Sequence, residues 1–232
     1  VALATNYAGW IQLIRDFLDL VGPDITDEQI GWSLQLGQAE LNKSLNSWRM
    51  EKEEVLTATV DGDPIDMSGI PDFNRVQLIT GGTYGKNLRA LAFNELINMN
   101  AAIASGDAST DTQEFHYYAI QGQKLYTVPM PAAGDVFKVF YYQLVPSLSE
   151  APPVDTNIFS EYHSEALLYT SLVAASQFIS EDERTSTWAT LATNAVNTIN
   201  EASKGSKMGS TPLVRQFSVY GSGNNGYPNI GA

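Results

Sequence analysis

Apolar residues recur at helical spacing towards both ends of the chain and at β-type spacing between them, so the pattern divides the sequence into three stretches. Near the start, Tyr7, Trp10, Ile11, Ile14, Phe17, Leu18 and Val21 fall on one side of a helix, and Gly22-Pro23 stops it. A second helix opens at Thr26, where Thr26 and Gln29 have capping-box spacing and Asp27 and Glu28 suit the positive helix end. Ile30, Leu34, Leu41, Leu45 and Trp48 trace its stripe. Gly31 and Gly37 each weaken a helix by about 1 kcal/mol relative to Ala, and close packing against a neighbour is the expected reason for them.

From about Met50 the pattern shortens. Val55–Val60 and Arg75–Thr80 read as strands, and Asp61-Gly62 fits a hairpin turn after the first. Leu88 to Ile97 fits either a short helix or a bulged strand. Three aromatic-rich runs follow, Phe115–Ile120, Lys124–Val128 and Val136–Tyr142; Gln121-Gly122-Gln123 joins the first two tightly, which predicts a small antiparallel sheet. Pro146, Pro152 and Pro153 close the stretch.

Helical spacing returns with Phe159, Tyr162, Ala166, Leu167, Tyr169, Val173, Ala174 and Phe178, apolar on more than one side and therefore a central helix. Ser180 and Glu183 have capping-box spacing before a last stripe of Trp188, Leu191, Ala192, Ala195, Val196 and Ile199. Trp188 and Phe178 are expected to be buried. The predicted class is α+β, mainly α. Residues 1–48 and 155–203 form a helical bundle, residues 49–154 an inserted small antiparallel β unit, and residues 204–232 an extended C-terminal arm.

Charge changes the picture more than overall composition does. Among 232 residues, positions 1–202 hold all 26 carboxylates but 10 of the 13 Lys and Arg, and positions 203–232 carry Lys204, Lys207, Arg215 and no acid. A formal charge of -13 argues against an exposed grip on DNA, which gains affinity by neutralising phosphates. Cysteine is absent, which excludes disulfides, thiolate nucleophiles and cysteine-based metal sites. No apolar run approaches the about 20 residues of a membrane-spanning helix, and the first residues lack a signal-peptide pattern, so the chain reads as soluble and unexported.

Motifs with chemical potential fail on their spacing. Gly81-Gly82-Thr83-Tyr84-Gly85-Lys86-Asn87 has Thr80 where a phosphate-cradling loop needs Gly and Asn87 where it needs Ser or Thr. Asp61, Asp63 and Asp66 lack the Gly and terminal Glu of a calcium loop and read as a turn. Glu161, His163 and Glu165 sit two apart and cannot converge on one ion from a helix, although Glu161 and Glu165 would share a face. The expectation is no enzyme, no catalytic residue, no metal site and no cofactor.

Longer stretches carry a resemblance. Tyr141-Tyr142-Gln143-Leu144-Val145-Pro146-Ser147-Leu148-Ser149, then Asn157-Ile158-Phe159, Tyr162, Leu167-Leu168-Tyr169, Ala174-Ala175, Phe178-Ile179 and Glu181-Asp182-Glu183-Arg184 leading to Trp188, resemble the C-terminal half of tailed-bacteriophage head-to-tail adaptor (connector) proteins. Leu36-Gly37-Gln38-Ala39-Glu40-Leu41-Asn42 through Trp48-Arg49-Met50-Glu51 resembles the same family's second helix and its exit into strands. The resemblance implies a structural protein of the virion head-tail interface, assembled in the host cytoplasm. It would form a ring of roughly twelve copies beneath the portal protein, meet a downstream tail or nozzle protein, and pass genomic DNA without sequence-specific binding or any membrane contact. An acidic lumen suits that role, because a basic wall would hold the duplex.

The alternative is a carbohydrate- or receptor-binding virion module, motivated by Tyr117, Tyr118, Tyr126, Tyr141 and Tyr142. For the adaptor reading, the expected partner-binding residues are Leu213, Val214, Arg215, Phe217, Val219, Tyr220, Tyr227 and Ile230. They stand among glycines in a segment too apolar for a solvated tail, with β-type composition from Leu213 to Tyr220.

Overall fold

A computed structural model describes residues 3–4, 6–18, 25–81, 85–106, 116–150, 153–178 and 183–207. Among them it is an α+β structure. Its helices are α1 (Tyr7–Leu18), α2 (Asp27–Ser44), α3 (Phe93–Ser105), α4 (Ile158–Tyr162), α5 (Ser164–Ala175) and α6 (Thr185–Lys207). Its strands are β1 (Glu51–Thr57), β2 (Ile65–Asp66), β3 (Phe73–Gly81), β4 (Lys86–Asn87), β5 (Arg89–Ala90), β6 (Tyr117–Gln121), β7 (Lys124–Val128) and β8 (Val136–Gln143).

The first two helices form where their sequence signals begin, although Phe17 of the first stripe is exposed, α2 ends at Ser44 before Leu45 and Trp48 of its stripe, and Val21 and Gly22-Pro23 lie outside the described residues. Thr26 caps α2 reciprocally with Gln29: the Gln29 N–H donates to Thr26 Oγ1 at 3.2 Å, and the Thr26 N–H donates to Gln29 Oε1 at 2.8 Å. Trp10, Ile11, Ile14 and Leu18 of α1 are buried against Ile30, Leu34 and Leu41 of α2 and Leu167, Leu168 and Leu172 of α5 in one continuous core. Helix α5 is apolar all round because it packs against α1, α2, α4 and α6 together. At Gly37 the backbones of α2 and α5 nearly touch, since a Cβ there would lie 2.8 Å from Ser171 N and 3.0 Å from its Cα. Gly31 instead faces the Tyr7 hydroxyl.

The helical stretch 159–178 departs from the single helix its spacing predicts. It is interrupted at His163 (φ -130°, ψ 34°), so Glu161 and Glu165 stand on different helices, and it ends in a 3-10 turn at Ser176–Phe178. Phe178 is 37% exposed, against the expectation of burial, because that turn carries it to the helix end. Trp188 is buried, stacked beneath the Arg184 guanidinium at 4.9 Å. Arg184 also donates to the Leu18 carbonyl at 3.0 Å and so ties the end of α1 to the start of α6. Ser180 of the expected capping box lies outside the described residues. Residues 204–207 are helical, where an extended arm was expected from 204.

The β region holds two four-stranded sheets, where one small antiparallel sheet was expected. The first has the order β1-β8-β3-β4 and the second β2-β7-β6-β5, with the β5–β6 pair parallel. The hairpin β6–β7 forms as its turn chemistry requires, with Gly122 (φ 56°) and Gln123 (φ 61°) both in the left-handed region. By contrast β8 joins β1 and β3, not the β6–β7 hairpin, and Asp61-Gly62 leads from one sheet to the other. Ile79, Leu125, Phe137, Val139 and Tyr141 fill the space between the sheets. On β7 the neighbouring Val128 and Tyr126 point the other way, towards Leu96 and Phe93 of α3.

A polar seam fixes the helices to the sheets. Buried Asn42 of α2 accepts from the Val145 N–H at 2.9 Å and donates to the Val145 carbonyl at 3.0 Å, and Gln38 accepts from the Leu148 N–H at 2.9 Å. From β3, the Arg75 guanidinium donates to the Lys43 and Leu45 carbonyls, the free carbonyl end of α2, while stacking on Tyr142 at 4.9 Å.

Candidate functional site

Where α2 gives way to β1, the chain builds an exposed aromatic cluster. The Ser47 hydroxyl accepts from the Arg49 N–H and turns residues Trp48–Met50 into one 3-10 turn. Met50 is driven into the core and Trp48 outwards, 49% exposed. The sequence placed Trp48 on the buried stripe of α2; it leaves that stripe because α2 ends at Ser44. The Arg49 guanidinium lies 4.4 Å from the Trp48 ring and 3.7 Å from the Tyr162 ring, which is itself 53% exposed at the end of α4. Each such exposed stacking is worth about 0.5–1 kcal/mol and so favours this arrangement of the two rings modestly. Beneath them His163 Nε2 lies 2.9 Å from Ser47 Oγ. Burial, reinforced by the Arg49 charge, pushes the His163 imidazole below its ordinary value.

A second exposed surface surrounds the start of α2. A groove of about 660 Å³ is lined by Tyr7 and Ile11 of α1, by Gly31 and Trp32 of α2, and by the carboxylates Asp27, Glu28, Glu150 and Asp155. Asp27 is paired with Arg15. Burial, then Glu150 and Asp27, push the Tyr7 phenol above its ordinary value. Trp32 and Leu36 stand exposed on one side of α2, and the Trp32 ring lies 6.4 Å from that of Phe178.

Both are exposed surfaces of aromatic and charged side chains. Trp, Tyr and Arg are the side chains that dominate protein interfaces, because each buries much area while fixing few rotatable bonds. The remaining sequence candidates are satisfied locally. The Asp61 carboxylate accepts from the Ala133 N–H at 2.6 Å. Asp66 accepts from the Ser68 N–H at 2.8 Å and from its hydroxyl at 2.9 Å, which together hold the Asp66 carboxyl below its ordinary value. Among the described residues no group of three or more His, Asp or Glu is placed to hold a metal ion. Gly82, Thr83 and Tyr84 of the glycine-rich loop lie outside the described residues, and Lys86 and Asn87 form β4.

The tyrosines that suggested a carbohydrate or receptor site are drawn inwards: Tyr141 and Tyr142 are buried, and half-buried Tyr126 meets Phe93 edge-on at 4.9 Å. Leu213, Val214, Arg215, Phe217, Val219, Tyr220, Tyr227 and Ile230 lie outside the described residues. Sequence reasoning missed the Trp48–Arg49–Tyr162 stack, because its members are far apart in the chain and Trp48 and Tyr162 each fit a helical stripe. Among the described residues no helix is long and apolar enough to cross a membrane.

No curated protein matches the chain. The family model described as SU10 adaptor protein matches residues 5–216, spanning the helices, both sheets and the start of the C-terminal segment. The chain belongs to the SU10 adaptor protein family, structural adaptors of the phage virion.

Proposed function

We propose that the protein assembles as a ring beneath the portal, receives the downstream tail or nozzle protein, and passes genomic DNA through its lumen during packaging and ejection. The family match over residues 5–216 carries this reading. Charge supports it. With all 26 carboxylates in residues 1–202, a ring of these bodies offers DNA a repelling wall, and the duplex slides because it releases no counterions on contact. The helices are read as one unit, residues 1–48 and 155–203, that supplies the rigid ring wall, with residues 49–154 projecting from it.

In this reading the protein has no turnover, and residues 204–232 attach it to the portal ring or a neighbouring subunit through Leu213, Val214, Arg215, Phe217, Val219, Tyr220, Tyr227 and Ile230. The experiment is co-sedimentation with the purified portal of the same phage. Full-length protein is expected to co-sediment, and a chain lacking residues 211–232 to remain soluble and folded but unattached. Undiminished attachment of the shortened chain would reduce the segment to a solvated end.

A further inference from the structure

Strand β1 is an open edge of unbroken register: it pairs with β8 on one side and with no described strand on the other. On the opposite edge of its sheet β4 covers only Thr80 and Gly81 of β3, and the rest of β3 is interrupted by register shifts between Phe73 and Arg75 and between Val76 and Leu78, which blunt it as a template. The Ala58 N–H donates to the Asp135 carbonyl across the continuing β1–β8 ladder at 2.9 Å. By strand alternation Leu56, Glu54 and Lys52 direct their main-chain groups to β8, and Glu53, Val55 and Thr57 direct theirs outwards. An edge of that length is a template for another strand unless something covers it. Val55 is 52% exposed, and Val136 on the adjoining strand is also exposed, so two apolar side chains stand beside the charged residues of this rim.

We propose that this edge is filled by residues 213–220 of a neighbouring copy, which add a fifth strand to the β1-β8-β3-β4 sheet. The inference rests on the reading of the protein as a ring-former. Residues 213–220 run Leu-Val-Arg-Gln-Phe-Ser-Val-Tyr, with Leu213, Phe217 and Val219 on one face of an extended chain and Val214 and Tyr220 on the other. Extended, they are long enough to run alongside all seven residues of β1. Their charge is complementary, one arginine and no acid against a rim where Glu51, Glu53 and Glu54 outnumber Lys52 and the Lys138 of β8 that pairs with Glu53 at 3.0 Å.

The origin of the segment suits the site. Asn200 of α6 accepts from the Asn46 N–H at 2.7 Å and donates to the Ser44 carbonyl at 3.1 Å. Helix α6 therefore passes beside the end of α2, from which β1 departs, and runs on to Lys207. Residues 208–212 span at most about 17 Å, so in the ring the neighbour's β1 must lie within that reach of the end of α6. The family match itself runs into this stretch, ending at residue 216. Donor segment and acceptor edge are different surfaces, so each copy gives one strand and takes one, and a contact of that kind repeats head-to-tail until a ring closes.

The test uses the full chain at ring-forming concentration. Amide exchange at Glu53, Val55 and Thr57 is expected to be slower by at least about tenfold than in a chain lacking residues 208–232. Val55→Pro removes an N–H that points away from β8, so it spares the existing ladder and is expected to abolish ring formation while leaving the helical core folded; Val55→Ala keeps the N–H and assembles.

Because the chain has no cysteine, Val55→Cys in one population can be mixed with single cysteines placed along 213–220 in another, and oxidation is expected to link two copies. Unchanged exchange at these three amides, normal rings from Val55→Pro, or no disulfide between the two populations each overturns the proposal. If the shortened chain loses the portal while β1 exchange is the same in both chains, the edge proposal fails and the attachment role stands. If the shortened chain still forms rings and still binds the portal, both fail.

Discussion

The helices bury their large side chains in one continuous cluster, whereas the β region divides its apolar residues between the space separating two sheets and a small patch under α3. The difference teaches where the protein keeps its rigidity and where it keeps surface for partners. Helix α5 is surrounded and has nothing left to offer; β1 keeps one edge free, and α2 keeps Trp32 and Leu36 exposed on the side turned away from the core. In the proposed ring the first would supply the wall and the second the rims that bind.

The sharpest way to break this contrast is to truncate one leucine in each region. Leu167 and Leu96 are both fully buried, yet Leu167 sits in the continuous helical core and Leu96 in the patch under α3. Leu167→Ala is expected to cost about 4–5 kcal/mol and Leu96→Ala about 2–3 kcal/mol by urea denaturation, because the smaller cluster relaxes more completely around the lost volume. Equal losses would show that the two cores are equally constrained.

A smaller effect separates two glycines on one helix. A methyl at Gly37 meets the backbone of α5, which cannot move aside, so Gly37→Ala is expected to destabilise by about 1–3 kcal/mol. A methyl at Gly31 meets the end of the Tyr7 side chain, which can swing away, while Ala restores about 1 kcal/mol of helix propensity. Gly31→Ala is therefore expected to be close to neutral in the same denaturation experiment. A larger loss at Gly31 than at Gly37 would reverse the account of how α2 packs.

The helices were the legible part of the fold. The stripes of α1, α2 and α6, the Thr26–Gln29 box and the close-packing role of Gly37 follow from local periodicity and sterics, which act within a few residues. Strand partnership is not local. Nothing in Val55–Val60 or Val136–Tyr142 says that β1 and β8 pair across some eighty positions, so one sheet was expected where two form. Phe178 was read as buried, and Trp48 and Tyr162 were placed on apolar helical stripes, because helical spacing was carried across the points where Ser47, His163 and Ser176 break it. Exposed aromatics at helix ends are where the pattern misleads, and here they are the candidate contact surface.

The smallest expected effect concerns the junction of the two regions. Burial and the neighbouring Arg49 hold His163 below its ordinary value of 6.5, so the unfolded chain binds the proton more readily than the folded one. Stability from this group is complete above pH 6.5 and is lost as the pH falls from there through the folded value. His163→Gln keeps a polar group beside Ser47 without titrating. The melting temperature of the parent protein is expected to fall relative to that of the variant between pH 7.5 and 5, and a constant difference would mean that His163 does not titrate across the junction.

The account depends most on assembly. Electron microscopy of the purified protein mixed with the portal of its phage tests it directly: the account predicts rings seated coaxially on the portal, with the helical cores forming a continuous wall around an open channel. Monomers that leave the portal bare at concentrations where the protein is folded, or a seated ring with a closed channel, would contradict it.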